Sequence, residues 1–316
     1  MPTAIHLDGG NYFDDMRIDI QAAHEQQDEW LKQIKRTTVR KPLLVNYYKL
    51  ASFVLLRKLG LYEAFVNNGL IGEWFYEFQD YWSNVLHGRP ITIMDFHQLR
   101  FLYRTRNQNT KALSWQDHRQ HIENWQHPNG ISFTFDLLYR NARNPVRSRQ
   151  LWKLLKPGMR VLEYGCAVAP MYRTWKGYLN HIETEWVLAD LPNFPFHYTH
   201  YTCAKDKEAT FNPITADLLD EPLKNSPALF DMIVVQEVFE HLHHPRHMAE
   251  YLLAHLKSGG LLYFDYVRSE AVGYDTPLGL TERIPTLEYL GQKLKLIHGN
   301  FHVSDRSLGT CVGVKV

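Results

Sequence analysis

The chain has 316 residues, of which 45% are hydrophobic and 22% are charged, which is an ordinary globular composition. A formal net charge of +1 argues against a protein that is held to nucleic acid or to an anionic membrane by its overall charge. Three widely spaced cysteines, Cys166, Cys203 and Cys311, indicate reduced thiols rather than a disulfide framework. The first residues show no signal peptide, and the apolar stretch at 50–66 is interrupted by charges, so we expect a cytoplasmic protein without a membrane span.

Residues 1–150 are rich in aromatic side chains and show helical spacing of apolar residues, with few strand signals. Helices are predicted within 50–66, near 97–102 and from Phe133 onward. We expect a mostly α-helical N-terminal region that either encloses a substrate or mediates homodimerisation. Four arginines near its end, Arg140, Arg143, Arg147 and Arg149, are expected to form a solvent-exposed helix face, with binding of a phosphate or carboxylate of the acceptor as the alternative. Most of its aromatic residues are expected to form a hydrophobic core: Tyr47, Tyr48, Trp74, Phe75, Tyr76, Phe78, Tyr81 and Trp82.

From about residue 151, predicted strands and helices alternate, which is typical of a parallel α/β sheet. A helix is predicted over 244–257, because Pro245 lies near its first turn and Gly259-Gly260 would follow its end. The segments 293–301 and 309–316 are predicted to close the chain as an antiparallel pair. The other predicted strands are RVLEY (160–164), WVLAD (186–190), PITAD (213–217), FDMIVVQE (230–237) and LLYFDYV (261–267).

The order of these segments resembles that of the class I S-adenosylmethionine-dependent methyltransferases. The resemblance covers about residues 150–316 and rests on five stretches in order: VLEYGCAVAP, an acid that ends the next strand, ITADLLDEPL, FDMIVVQEVFEHLHHP and LKSGGLLYFDYV. It implies an α/β fold with a Rossmann-like sheet and a C-terminal antiparallel strand pair over 151–316, preceded by the mostly helical region 1–150. It also implies S-adenosylmethionine as the cofactor.

Ligands of doubly wound sheets bind beyond the carboxyl ends of the strands. Asp190 follows Gly165 by 25 residues, near the spacing at which an acid accepts hydrogen bonds from both ribose hydroxyls. The resemblance implies that Glu163 and Gly165 lie beside the methionyl part of the cofactor, and that Asp217 and Leu218 flank its adenine. The complete set of predicted cofactor residues is Glu163, Gly165, Ala167, Asp190, Leu191, Asp217, Leu218 and Gln236.

The turn after the first of these strands departs from the family's glycine pattern at Ala167 and Ala169. Glycine is needed where φ is positive or where the backbone must touch a ligand. We interpret the segment as a working cofactor loop, in which alanine is tolerated if φ is negative at both positions. A degenerate loop that does not bind the cofactor remains an alternative.

The stretch QEVFEHLHHPRH (236–247) places Glu237, Glu240 and His241 in the spacing E-x-x-E-H directly after a predicted strand. In the first interpretation these three are catalytic residues that shape the acceptor pocket, with a histidine as general base for a hydroxyl group. In the second they bind a divalent metal, since the string looks like the metal site of small-RNA 2′-O-methyltransferases. No further ligand can be assigned, and we predict no metal. In the third they lie at a solvent-exposed helix N-terminus.

Neither an N-P-P-Y-type sequence nor a Cys-Cys nucleophile arrangement occurs in the chain, which argues against the corresponding DNA and pyrimidine methylation chemistries. Basic residues do not form a stripe interleaved with aromatic residues, which argues against a nucleic-acid substrate. We therefore expect a methyltransferase that acts on an oxygen of a small-molecule or saccharide acceptor. Two alternatives stay open: a metal-assisted RNA 2′-O-methyltransferase, and a non-catalytic methyltransferase-like binding module.

Overall fold

The computed structural model describes residues 55, 58–59, 72–84, 115, 117–126, 130–143, 151–224, 228–268 and 275–316. The helix predicted near 97–102, most of the one within 50–66, and Tyr47, Tyr48, Arg147 and Arg149 lie outside the described residues. In chain order the helices are α1 Gly72–Asn84, α2 His118–Gln126, α3 Gly130–Arg143, α4 Leu151–Leu154, α5 Pro170–Thr174, α6 Phe194–Cys203, α7 Pro245–Ala254, α8 Pro277–Thr281 and α9 Arg283–Lys293. The strands are β1 Met159–Tyr164, β2 Thr184–Asp190, β3 Ala209–Pro213, β4 Phe230–Val235, β5 Leu256–Tyr266, β6 Leu294–His298 and β7 Leu308–Lys315.

The strands form one seven-stranded sheet in the order β3-β2-β1-β4-β5-β7-β6. The first five strands in the chain pair in parallel, and β7 runs antiparallel to both β5 and β6. The predicted Rossmann-like sheet with a C-terminal antiparallel pair is therefore confirmed. The strand order reverses between β1 and β4, and a crevice for ligands forms at such a point beyond the carboxyl ends of the strands.

The sheet is covered on both faces, as alternation along its strands requires. On one face Leu162 and Ile233 belong to a buried cluster with Leu252 of α7. On the other face Val161 and Val234, their immediate neighbours, belong to a second cluster that includes residues of α5 and α6. Because the central strands β1 and β4 bury apolar residues on both sides, they appear in the sequence as continuous apolar runs.

Two sequence predictions for this region are wrong. The strand predicted over 213–217 lies earlier in the chain, since β3 ends at Pro213. A 3₁₀ turn over Ala216–Leu218 covers the end of the predicted range. Proline has no N–H for a strand ladder, so it ends the strand here instead of beginning one. The helix α7 ends at Ala254, so the diglycine Gly259-Gly260 does not end it but lies within β5, where the register against β4 shifts.

The N-terminal helices pack against the sheet domain through aromatic side chains. Phe78 of α1 contacts Phe135 of α3 with ring centroids 4.7 Å apart, and Tyr81 meets Tyr198 of α6 edge to face at 5.2 Å. The predicted core role is confirmed for five residues, whereas Tyr76 is 52% exposed. The five buried residues are Trp74, Phe75, Phe78, Tyr81 and Trp82. Of the helices in the described part of the chain, none is both long and apolar enough to cross a membrane.

Candidate active site

A cavity of about 750 Å³ lies beyond the carboxyl ends of β1, β2, β4 and β5, and residues of α2 and α3 form part of its wall. All predicted site residues except Asp217 and Leu218 line it: Glu163, Gly165, Ala167, Asp190, Leu191, Gln236, Glu237, Glu240 and His241. The crossing order of the strands thus brings residues that are up to 78 positions apart, from Glu163 to His241, into one space.

Gly165 allows the turn after β1 to approach the loop after β4 closely. Its φ is 65°, and a Cβ at this position would lie 2.4 Å from Cγ2 of Val238. Its N–H donates to the carbonyl of Ala189 at 2.8 Å, so the turn is also fixed to β2. Only glycine meets both the conformational and the steric requirement here.

The two alanines of this turn do not meet the condition of negative φ under which alanine is tolerated. Ala167 has φ 48° and Ala169 has φ 49°, the left-handed conformation that favours glycine. The turn is held in this form by its partners, since the Ala167 N–H donates to Asp190 Oδ2 at 2.6 Å and Thr199 Oγ1 donates to the Ala167 carbonyl at 2.7 Å. Left-handed backbone costs an L-residue about 1–2 kcal/mol, so the loop keeps its shape at a cost in stability.

Asp190 ends β2 as predicted and is 8% exposed. Its Oδ1 accepts from the Leu191 N–H at 2.6 Å and from Asn193 Nδ2 at 3.2 Å, while Oδ2 accepts from Ala167. Burial raises the pKa of this carboxyl to about 6, although the three hydrogen bonds favour the charged form. A carboxylate has about four lone-pair positions, so Oδ2 retains one acceptor position for a ligand.

Glu163 accepts hydrogen bonds from backbone N–H groups at the N-terminus of α5. Its two oxygens accept from the N–H groups of Met171 at 3.0 Å and Tyr172 at 2.9 Å. The side chain is 3% exposed, and burial raises its pKa to about 7 against the effect of those two bonds. Glu163 therefore orients the helix that begins where the turn ends, in addition to lining the cavity.

The structure does not bring Asp217 and Leu218 to the cavity. Asp217 is exposed and accepts from Thr215 Oγ1 at 2.5 Å, which lowers the pKa of its carboxyl. Two apolar residues of the same segment, Ile214 and Leu219, line the cavity instead. Sequence reasoning assigned this part of the cavity to Asp217 and Leu218 and did not identify Ile214 and Leu219. Their apolar character directly after β3 was the signal that could have found them.

The loop after β4 bends sharply at Glu237, where φ is 53°. The Glu237 N–H donates to Asp265 Oδ1 at 2.6 Å, which ties the end of β4 to the end of β5. Its Oε2 lies 3.6 Å from Nη1 of Arg140 on α3. The prediction of a solvent-exposed arginine face is therefore wrong for Arg140, because α3 lies over the site and its Arg140 side chain lines the cavity.

Glu240 and His241 lie in a 3₁₀ turn, Phe239–His241, that precedes α7. Glu240 is 1% exposed, and burial, with Asp265 as the next contribution, raises the pKa of its carboxyl well above the usual value. The His241 ring meets Trp125 edge to face with centroids 5.1 Å apart. Its Nδ1 lies 3.8 Å from Asp275 Oδ1, and its Nε2 lies 3.9 Å from Glu240 Oε1. The interpretation as an exposed helix N-terminus is therefore wrong.

The sequence predicted that the N-terminal helices could enclose a substrate, but it did not identify the residues of α2 and α3 that line the cavity. His121, Trp125, Phe133 and Asp136 line it from these two helices. His121 is 2% exposed, and burial together with His243, His241 and His118 lowers its pKa to about 3. Within the described ranges, no group of three or more His, Cys, Asp or Glu residues is arranged to hold a metal ion.

The chain belongs to the methyltransferase-domain family, whose model matches residues 137–312. It is an S-adenosylmethionine-dependent methyltransferase. The residues present fit this cofactor, since the Gly165 turn and Asp190 line one cavity, Asp190 keeps an acceptor position, and the cavity volume is typical of small-molecule sites. No curated protein matches the chain.

Three solved structures illustrate the proteins to which this chain is similar. A putative methyltransferase from Haloferax volcanii, solved with the Trm112 methyltransferase activator, is 16% identical with a TM-score of 0.40, over 56% of this chain and 93% of that one. An S-adenosylmethionine-dependent methyltransferase from Aquifex aeolicus is 18% identical with a TM-score of 0.38, over 55% and 90%. Magnesium protoporphyrin IX methyltransferase from Synechocystis PCC 6803, solved with bound S-adenosylmethionine, is 12% identical with a TM-score of 0.38, over 68% and 97%.

Proposed function

We propose that this protein moves a methyl group from S-adenosylmethionine to an oxygen of a small-molecule or saccharide acceptor. One observation carries the proposal: a single cavity is lined both by the Gly165 turn with Asp190 and by His241, an imidazole that lies between two carboxylates. The first group suits a nucleoside cofactor and the second suits proton removal from a hydroxyl group.

The cofactor half of the proposed site is built from the ends of β1, β2 and β4. S-adenosylmethionine, when bound, supplies an electrophilic methyl carbon. Asp190 accepts a hydrogen bond from the ribose, and the glycine turn gives its backbone to the methionyl part. Leu191 and Gln236 line the same half, and Ile214 and Leu219 offer apolar contact to the adenine. Direct adenine contacts by Asp217 and Leu218 stay a prediction.

In the acceptor half, His241 is the proposed general base. A neutral imidazole accepts the hydroxyl proton as the oxygen attacks, and the resulting imidazolium is stabilised by Asp275 and Glu240 at 3.8 and 3.9 Å. Glu237 positions Arg140 above the site through their 3.6 Å ion pair. Trp125 packs edge to face against the imidazole ring.

The size of the cavity supports a small acceptor. Residues of α2 and α3 form part of its wall, and about 750 Å³ holds a cofactor with a small molecule beside it. We assign the region 1–150 to enclosing the acceptor and 151–316 to binding the cofactor, with homodimerisation as the other role open to the first region. A cytoplasmic location stays part of the proposal.

Calorimetric titration of S-adenosylhomocysteine tests the cofactor half. We expect micromolar binding to the wild type, about −8 kcal/mol, and at least about tenfold weaker binding to Asp190→Ala. Glu185→Ala is the matched control, since Glu185 is an exposed acid near the other end of the same strand. An unchanged affinity in Asp190→Ala would contradict the assignment. No binding to the folded wild type would favour a non-catalytic binding module.

The base is tested by methyl transfer from deuterium-labelled S-adenosylmethionine to a panel of hydroxyl compounds. We expect His241→Ala to lower turnover by about 10²–10⁴-fold, because it removes a general base. Its affinity for S-adenosylhomocysteine should stay within about twofold of the wild type. Loss of wild-type transfer on chelation, restored by added Mg²⁺ or Mn²⁺, would favour the metal-assisted RNA reaction instead, in which His241 would be a metal ligand.

A further inference from the structure

We propose that the acceptor carries a positively charged nitrogen, an ammonium group, that the carboxylate of Glu240 binds inside the cavity. The inference rests on the proposed function and specifies its acceptor. It starts from the one carboxylate of the site that is nearly completely buried and that no other described residue satisfies with a hydrogen bond.

Glu240 lines the cavity with only 1% of its surface exposed. Neither of its oxygens accepts a hydrogen bond from another residue in the described part of the chain, and His241 Nε2 lies 3.9 Å from Oε1. The other buried acids of the wall differ in this respect, since Glu163 and Asp190 use both oxygens to accept backbone N–H groups. A buried carboxylate without donors is costly to maintain, so a bound molecule that supplies the donors gains that energy.

The charges around Glu240 select a cation over an anion or a neutral donor. Asp265, Asp275 and Glu237 all lie near enough to raise its pKa. Arg283 is near enough to interact electrostatically with Glu240, but the three acids outnumber it, and Arg140 is paired with other carboxylates. Arg140 lies 3.6 Å from Glu237 and 3.3 Å from Asp136, and Arg283 donates to the backbone carbonyls of Tyr266 and Ser304. The pocket around Glu240 therefore has an excess of negative charge.

An organic ammonium fits this pocket better than a metal ion does. The described donors include no group of three or more with metal-binding geometry. An ammonium carries three N–H donors, which matches the two oxygens of Glu240 and one neighbouring carboxylate. Trp125 and Phe133, whose rings lie 6.1 Å apart, line the same cavity and provide apolar surface for the body of such a molecule.

The position of Glu240 in the sheet assigns the cation to the acceptor. The cofactor half lies at the ends of β1 and β2 and reaches β4 only at Gln236, directly after that strand. Glu240 lies four residues further on, beside residues that follow β5. The Thr276 N–H donates to the Glu240 carbonyl at 3.0 Å, which fixes the turn against that segment. The ammonium is thereby placed next to His241, the proposed base for the acceptor hydroxyl.

The test compares matched pairs of probes that differ by the amino group. The pairs are glucosamine with glucose and tyramine with 4-ethylphenol, titrated into protein saturated with S-adenosylhomocysteine. We expect the amine of at least one pair to bind at least about tenfold more tightly than its neutral partner. Glu240→Gln keeps the shape but removes the charge, and should bring that ratio to within about twofold. Glu288→Gln, an exposed acid on α9, is the matched control and should keep the wild-type ratio.

Equal or tighter binding of the neutral probes overturns the inference, as does a preference that survives in Glu240→Gln. Absence of binding by both amines at low millimolar concentration overturns it as well. If Glu240→Gln fails to fold, Glu240→Asp keeps the charge but shortens the side chain, and should weaken the amine more than its neutral partner. Failure of the wild type to bind S-adenosylhomocysteine would count against the proposed function instead, so the two failures are distinguishable.

Discussion

At the scale of single residues, the turn after β1 holds three left-handed positions, and only Gly165 among them is glycine. The sequence showed where glycines were missing but not what the backbone does there. An alanine looks the same in the sequence whether its φ is positive or negative. The conformation is imposed by hydrogen bonds from residues far along the chain, such as Asp190 and Thr199, which no local pattern reveals.

The strain in this turn predicts that restoring glycine stabilises the protein. Ala167→Gly and Ala169→Gly should each raise the free energy of unfolding by about 0.5–1 kcal/mol, since the relief of left-handed strain exceeds the added entropy of the unfolded chain. Urea denaturation measures the change. Ala204→Gly is the control, because Ala204 has φ −60° and should lose stability on the same substitution. A loss of stability at all three positions would contradict the role assigned to strain.

The steric requirement at Gly165 predicts the opposite result for the reverse substitution. Gly165→Ala should destabilise the protein by about 2–4 kcal/mol, from left-handed strain plus the contact with Val238. Gly158→Ala isolates the strain alone, since Gly158 has φ 80° and a Cβ added there would have no atom within 4 Å. The difference in free energy of unfolding between the two variants, measured by urea denaturation, gives the cost of the steric clash with Val238. Val238→Ala in the Gly165→Ala background should recover part of it.

Asp190 predicts a pH dependence of cofactor binding. Its folded pKa is raised to about 6, so the carboxylate that accepts the ribose hydroxyl becomes protonated as the pH falls below that value. Affinity for S-adenosylhomocysteine should therefore be constant above about pH 7 and decrease by up to about tenfold per pH unit below pH 6. Titrations between pH 5 and 8 in the wild type and in Asp190→Asn measure this. An equally steep decrease in Asp190→Asn would assign the effect to another group.

At the scale of elements, the apolar runs of the sheet were predictable because parallel strands are buried on both faces. The predicted boundaries were least accurate where an acid suggested a strand end, as at Asp217. Which residues of α2 and α3 line the cavity was not predictable from their own sequences. Their residues, including His121 and Arg140, acquire a role only from where the helices pack, and the spacing of apolar residues does not report that position.

The contact between α1 and the sheet domain predicts a coupled loss of stability. Glu77 Oε2 on α1 accepts from Arg173 Nη1 and from the Tyr198 hydroxyl, each at 2.8 Å. Glu77→Gln should lower the free energy of unfolding by about 1–3 kcal/mol, because the guanidinium loses its anionic partner. Ser83→Ala, at an exposed position near the end of α1, should cost less than about 0.5 kcal/mol. Equal effects in thermal denaturation would contradict the role of Glu77 in this contact.

At the scale of the whole molecule, buried ionisable groups oppose one another in their effect on stability. Burial raises the folded pKa of Glu163 to about 7 and that of Asp190 to about 6. The stability that each contributes therefore decreases as the pH rises through its own folded pKa. His121 has a lowered pKa of about 3, so its contribution is complete above pH 6.5 and is lost as the pH falls towards 3. The stability profile of the wild type is the sum of these opposing slopes.

Replacing His121 separates its effect on the pH dependence of stability from the effects of Glu163 and Asp190. His121→Phe should reduce the loss of stability between pH 6.5 and 4 by up to about 1.4 kcal/mol per pH unit relative to the wild type, since no buried imidazole then resists protonation. Urea denaturation at several pH values measures the slopes. His181→Phe, at an exposed position, is the control and should leave the slope unchanged. A wild-type slope in His121→Phe would show that other groups dominate acid unfolding.

The aromatic contact between the N-terminal helices and α6 has a consequence for how the chain is made. Tyr198 lies 121 residues after Glu77, so the ribosome releases α1 long before its docking surface exists. At about 5–20 residues per second, the interval is roughly 6–24 s. During that time Phe78 and Tyr81, which are fully buried in the finished fold, have no surface of the later domain to cover them. The nascent chain should therefore bind chaperones that recognise exposed aromatic segments until translation has passed α6.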